Sequence, residues 1–129
     1  MRNSSQLFAL LLFATATALS SCKQEPDPAQ EYLTGRWEIR EAFRNGKPTE
    51  SLADLYFEFG NDGNMRTNLP VSETPGNARY ELHKNHIRQQ QGEMGLEYTI
   101  ESISDTSLVL TTTLRDFNFR FVLGKQTNK

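Results

Sequence analysis

Side chains that most often do chemistry are scarce in this chain. There is one cysteine, Cys22, and there are two histidines, His83 and His86, in the run His83-Lys84-Asn85-His86. If Lys84-Asn85 is a two-residue hairpin turn, the histidines face each other across the strand ends. Their Cβ atoms then lie about 4.5–5.5 Å apart, close enough for two imidazoles to share a divalent cation. A zinc site usually takes three or four protein ligands. Glu81 lies on the same strand face as His83, one pair inward, and is a conceivable third. The expectation is a solvated hairpin in which His83 and His86 are a weak metal pair, with no resident cofactor. No Gly-x-Ser-x-Gly elbow, phosphate-cradling Gly-rich loop or zinc-protease motif occurs. The acidic residues are scattered rather than paired for proton transfer. The chain is therefore expected not to be an enzyme.

Cys22 has a context that explains a lone thiol. Met1-Arg2-Asn3 supplies a positive charge, and residues 7–19 (LFALLLFATATAL) are almost wholly apolar or small. That run is shorter than the roughly 20 residues a spanning helix needs. A basic start, a short apolar core and small residues before a cut mark a secretory signal peptide. Leu19-Ser20-Ser21-Cys22 resembles the lipobox of bacterial lipoproteins, whose cysteine is acylated (palmitate is a typical chain) and becomes the first mature residue. The resemblance implies that residues 1–21 are a lipoprotein signal peptide and that Cys22 carries a covalent lipid. A single acyl chain anchors weakly, whereas two or three hold stably. Lys23, rather than aspartate, follows the cysteine, which points to the outer membrane of the cell envelope. Glu25 and Asp27 resemble the acidic signals that send some Bacteroidota lipoproteins to the cell surface, or are a solvated linker; the face of the membrane stays open. With no second cysteine there is no internal disulfide, so stability must come from the core.

The chain has 129 residues, 14 basic against 16 acidic, and a net charge of −2. That suits one small domain and shows no basic concentration that would engage nucleic acid. Residues 22–31, with two prolines and several charges, read as a flexible tether, residues 32–124 as the domain and 125–129 as a polar tail. Within the domain, apolar residues recur with period two: Trp37 and Ile39, then Phe43; Leu55, Phe57 and Phe59; Met65 and Leu69; Ala78, Tyr80 and Leu82; Ile87; Tyr98 and Ile100; Leu108 and Leu110; Phe117, Phe119 and Phe121. Period two is the mark of strands with one buried face. Asn45-Gly46, Gly60-Asn61-Asp62-Gly63, Thr74-Pro75-Gly76-Asn77, Lys84-Asn85, Gln91-Gly92 and Ser104-Asp105 supply turn chemistry between the runs. Arg115-Asp116 is the one turn that nothing forces. Residues 51–54 suit a helical turn with Thr49 as its cap. The expected fold is all-β: about eight antiparallel strands in an up-and-down meander. Pairing the sticky last strand with the first would close it into a barrel and remove both free edges.

Leu33-Thr34-Gly35-Arg36-Trp37 resembles the Gly-x-Trp that opens the first strand of lipocalins. Phe57-Glu58-Phe59-Gly60-Asn61-Asp62-Gly63 resembles the second element of small lipocalin-like lipoproteins common in Bacteroidota. The resemblance spans roughly residues 32–124, in a domain much shorter than a full lipocalin and without its C-terminal helix. It implies that Gly35 and Trp37 are structural, with Trp37 plugging one barrel end beneath a basic residue, for which Arg120 and Lys125 are both candidates. It also implies a small hydrophobic ligand in a central cavity, which here would be lined by Tyr80, Tyr98, Phe57 and Phe119. The abundance of rings (Phe43, Phe59, Phe117 and Phe121 besides) is equally compatible with a filled barrel. Such a barrel would serve as an interaction module contacting an envelope protein or glycan, with a patch around Tyr56, Val71 and Met94. Gln89-Gln90-Gln91 reads as a solvated strand end, and residues 91–95 as a mouth loop if one end is open.

Overall fold

The computed structural model describes residues 28–70 and 77–127. A short helix, α1 (Pro28–Leu33), precedes nine strands: β1 (Gly35–Arg44), β2 (Lys47–Pro48), β3 (Tyr56–Phe59), β4 (Asn64–Thr67), β5 (Ala78–His83), β6 (His86–Gln91), β7 (Met94–Ile103), β8 (Ser107–Leu114) and β9 (Phe117–Lys125). All pairs are antiparallel neighbours in the order β2-β1-β3-β4-β5-β6-β7-β8-β9, and β1 also pairs with β9. Eight strands thus form a closed barrel, and the two-residue β2 hangs on β1 as a ninth. Closure satisfies the backbone of the terminal strand: β9 is hydrogen-bonded to β1 from Trp37↔Lys125 to Arg44↔Phe119 and to β8 from Ser107↔Gly124 to Leu114↔Phe117.

The turns follow local chemistry. Asn45 and Gly46 both take positive φ (53° and 84°), as do Arg115 and Asp116 (54° and 69°). Two consecutive left-handed residues match the twist of the flanking strands. Asn and Gly adopt that geometry readily, whereas Arg115 does so under the constraint of the β8–β9 ladder. Residues 51–54 form turns closed by Ala53 N–H to Glu50 O and Leu55 N–H to Leu52 O, and the Thr49 hydroxyl accepts from Ser51 N–H at 3.3 Å.

The middle of the barrel is filled. Trp37, Phe57, Phe59, Tyr98 and Phe121 are all buried. Phe57 packs edge-on to Tyr98 at 5.4 Å and lies 6.0 Å from both Phe59 and Phe121. Full burial of one such ring contributes about 1.5–3 kcal/mol, and each well-oriented ring pair adds about 0.5–1.5 kcal/mol.

Three sequence expectations are corrected. The domain does not begin at residue 32: the supposed tether runs into α1, which starts at Pro28 and contributes fully buried Leu33 to the core. Lys125, assigned to the tail, ends β9, and Gln126 N–H bonds to Arg36 O at 2.8 Å. Phe43 does not point inward. A bulge between Ile39 and Glu41 inserts one residue into β1, which flips the phase of everything after it. Ala42 therefore faces the core and Phe43 the outside. Cys22 and Val71 lie outside the described residues.

Candidate functional site

The two ends of the barrel differ in construction. At the helix end α1 lies across the opening. Trp37 is fully buried and its indole Nε1 donates to Leu33 O at 2.9 Å. The Lys125 ammonium stands 5.1 Å from the centre of the Trp37 ring and donates to Tyr32 O at 3.0 Å. Arg120, the other candidate for that place, instead grips Glu101 on the outer face with two bonds of 3.1 and 2.8 Å. That bond pair holds the exposed Glu101 carboxyl below the usual carboxylate range. Gly35 has φ +134°, and a Cβ there would come within 2.6 Å of Lys125 Cε, which is why glycine precedes the tryptophan by two. The Tyr80 hydroxyl accepts from Gln30 Nε2 at 2.9 Å and donates to Gly60 O at 2.5 Å, tying α1 to the β3–β4 turn. Burial raises the Tyr80 phenol above its ordinary pKa. Tyr80 is therefore a strut of the sealed end, not a polar handle in a cavity.

The opposite end carries the turns at 45–46, 92–93 and 115–116, because β1 runs away from α1 and its neighbours alternate. Here Met94 is 45% exposed and Phe117 is 41% exposed, the most exposed large apolar side chains at this rim among the described residues. The Arg44 guanidinium lies 5.2 Å from the centre of the Phe117 ring. Phe119 is half-buried just inside and stacks on Phe121 at 5.7 Å. Inside the rim lies a void of about 20 Å³ lined by Gln89, Gln91, Met94, Gly95, Leu96 and Leu114. Gln89 was expected to be solvated, yet it is 1% exposed. It continues the inward alternation of Ile87 and pairs with Tyr80 on one side and Leu96 on the other. Tyr98, buried so that its phenol is driven well above its ordinary pKa, donates its hydroxyl proton to Gln89 Oε1 at 2.5 Å. That bond engages the amide oxygen. Gln89 Nε2 is then left without a protein acceptor, an arrangement that costs about 1–3 kcal/mol if nothing else satisfies it.

The four residues expected to line one cavity are thus divided. Phe57 and Tyr98 touch in the packed middle, Tyr80 braces the helix end and Phe119 approaches the far end. What the sequence reading missed is Gln89 with Leu96 and Leu114. The signal was present, since 87, 89 and 91 share a face, but a glutamine run hid it.

His83 and His86 are partners across the β5–β6 hairpin, with Lys84 at φ 58°. Glu81 does not join them: it faces Arg88, which approaches Glu97 at 3.9 Å. Among the described residues no three His, Cys, Asp or Glu side chains cluster as a metal site would require. A larger concavity, an open trough of about 940 Å³, is lined by outward side chains of β1, β7, β8 and β9 together with the inward-alternating Leu96, Thr112 and Phe119. The outward row Phe43, Arg120, Thr111 and Thr99 crosses it from β1 to β7.

No protein-family model and no curated protein matches the sequence. Among solved structures the chain is similar to a lipocalin-like protein from Bacteroides uniformis. The two share 16% sequence identity, the similarity covers 74% of this chain and 99% of that one, and the TM-score is 0.55. The fold is lipocalin-like. At that identity the similarity speaks for architecture: a closed antiparallel barrel, here of eight strands with β2 added.

Proposed function

We propose that the protein is a lipid-anchored envelope barrel that binds a small hydrophobic molecule at the end opposite α1, without catalysing a reaction. The observation that carries this reading is the asymmetry of the two ends. One is sealed by Trp37, Leu33 and Lys125, while the other presents Met94 and Phe117 to solvent above a small interior void. An apolar concavity with few, placed polar groups is the usual form of a small-molecule site. The packed centre favours a ligand at the mouth over one deep in the barrel. Native extraction of the purified protein with organic solvent, followed by mass spectrometry, tests this. A stoichiometric co-purified hydrophobic molecule supports it. A folded protein that carries nothing and gains nothing from hydrophobic extracts contradicts it.

The anchor is a separate part of the proposal and rests on Leu19-Ser20-Ser21-Cys22. Cys22→Ser should move the protein from the membrane fraction to the soluble one and remove label from incorporated palmitate. Continued membrane association of the unlabelled variant would refute it. Lys23 supports a place in the outer membrane, which membrane fractionation tests.

A second reading, an interaction module, is favoured by the packed middle and by the open trough with its Thr99, Thr111 and Thr113 hydroxyls and the Phe43 ring. A photo-crosslinker at position 111 would trap an envelope protein or glycan in that case. A ligand-bearing barrel with no crosslink at 111 would dismiss it.

A further inference from the structure

We infer that Gln89 Nε2 is the anchor for an uncharged oxygen acceptor, a carbonyl or hydroxyl, of an amphipathic ligand that enters the far end head-first. The inference rests on the ligand-binding reading above and adds the ligand's chemical class. Four observations meet at this point. The Gln89 side chain is 1% exposed, its Nε2 has no protein acceptor, and its Oε1 is already held by the Tyr98 hydroxyl at 2.5 Å. With Oε1 held in this way, the unmatched polar atom of Gln89 is its donor, Nε2. The void that Gln89 lines, about 20 Å³, admits one water-sized group. Leu96, Leu114 and Met94 supply its apolar walls, and none of its lining residues is charged. A carboxylate would leave water for a site with one donor and no counter-charge, which is unfavourable. A ketone or alcohol oxygen meets the donor at far smaller desolvation cost. The tail of such a ligand would then lie between Met94 and Phe117, the side chains exposed at the rim.

The test compares three probes of equal chain length, 2-octanone, octane and octanoate, titrated at neutral pH into the ¹⁵N-labelled protein. 2-Octanone should bind about threefold to tenfold tighter than octane, the worth of one net hydrogen bond, and tighter than octanoate. It should also move the Gln89 side-chain amide resonances, which octane should not. In Gln89→Met, which keeps the side chain's length, the preference for the ketone over octane should vanish. Equal binding of ketone and octane at the far end would overturn the anchor and leave the ligand-binding reading intact. No binding of either would overturn both. If Gln89→Met does not fold, the wild-type amide shift decides: resonances unmoved by saturating 2-octanone overturn the inference.

Discussion

The helix end and the far end are made from the same materials, aromatic rings and single polar side chains, and differ in how the polar atoms are spent. At the helix end the side chains of Trp37, Tyr80, Gln30 and Lys125 are hydrogen-bonded, several between elements far apart in sequence, although His86 Nδ1 on the β5–β6 hairpin at this end is buried without a partner. At the far end Tyr98 and Gln89 satisfy each other by half, and Met94 and Phe117 remain in solvent. A structure that leaves a buried donor unmatched beside exposed apolar surface gives up stability there. The difference teaches that hydrogen bonds between distant elements brace one end, and recognition is to be sought at the other.

Substitutions should separate the ends. Trp37→Ala should cost the most, about 3–5 kcal/mol as for large-to-small core changes, read as a lowered denaturation midpoint; an unchanged midpoint would mean α1 does not seal the barrel. Alkaline pH comes next. Because burial raises the folded-state pKa of Tyr98 and of Tyr80, their contribution is fully present below the unfolded tyrosine value of about 10. Above that value the unfolded chain ionises first, so stability falls as pH rises. Urea midpoints from pH 8 to 11 should decline beyond about pH 10, and Tyr98→Phe should flatten part of that decline. Tyr80→Phe breaks the bridge between Gln30 and Gly60 and should cost about 1–2 kcal/mol. Lys125→Met removes the cation over Trp37 and should cost about 0.5–1 kcal/mol. Met94→Ser and Phe117→Ser should change stability by less than about 0.5 kcal/mol, as exposed substitutions do, while weakening ligand binding severalfold. Large stability losses from these two, or unaltered binding, would erase the contrast between the ends.

Much of the barrel was legible in the sequence. Period-two alternation with Gly- and Asn-bearing turns gives eight strands, and Gly35 and Trp37 lie where Gly-x-Trp implies. The misses have physical causes. Phe43 was assigned inward because a bulge at Arg40 leaves no mark in a polar stretch. Helix α1, six residues beginning with proline, is too short to be stable alone; it is held by Trp37 and Tyr80, which are contacts of the fold rather than of the local sequence. Arg115 and Asp116 turn left-handed because both flanking strands are already paired. Gln89 was overlooked because side-chain type outweighed position. Its burial depends on Tyr98, nine residues away and across the sheet.

The most direct test of the account places a reporter at each end. The protein has three methionines, and two of them lie in the barrel: Met94 at the far rim, and Met65, 2% exposed, in the core beside Phe59. With ¹³C-methyl methionine, titration with 2-octanone should shift the Met94 methyl saturably and leave Met65 in place. A shift at Met65 without one at Met94, or no saturable shift at either, would contradict a ligand site at the end opposite α1.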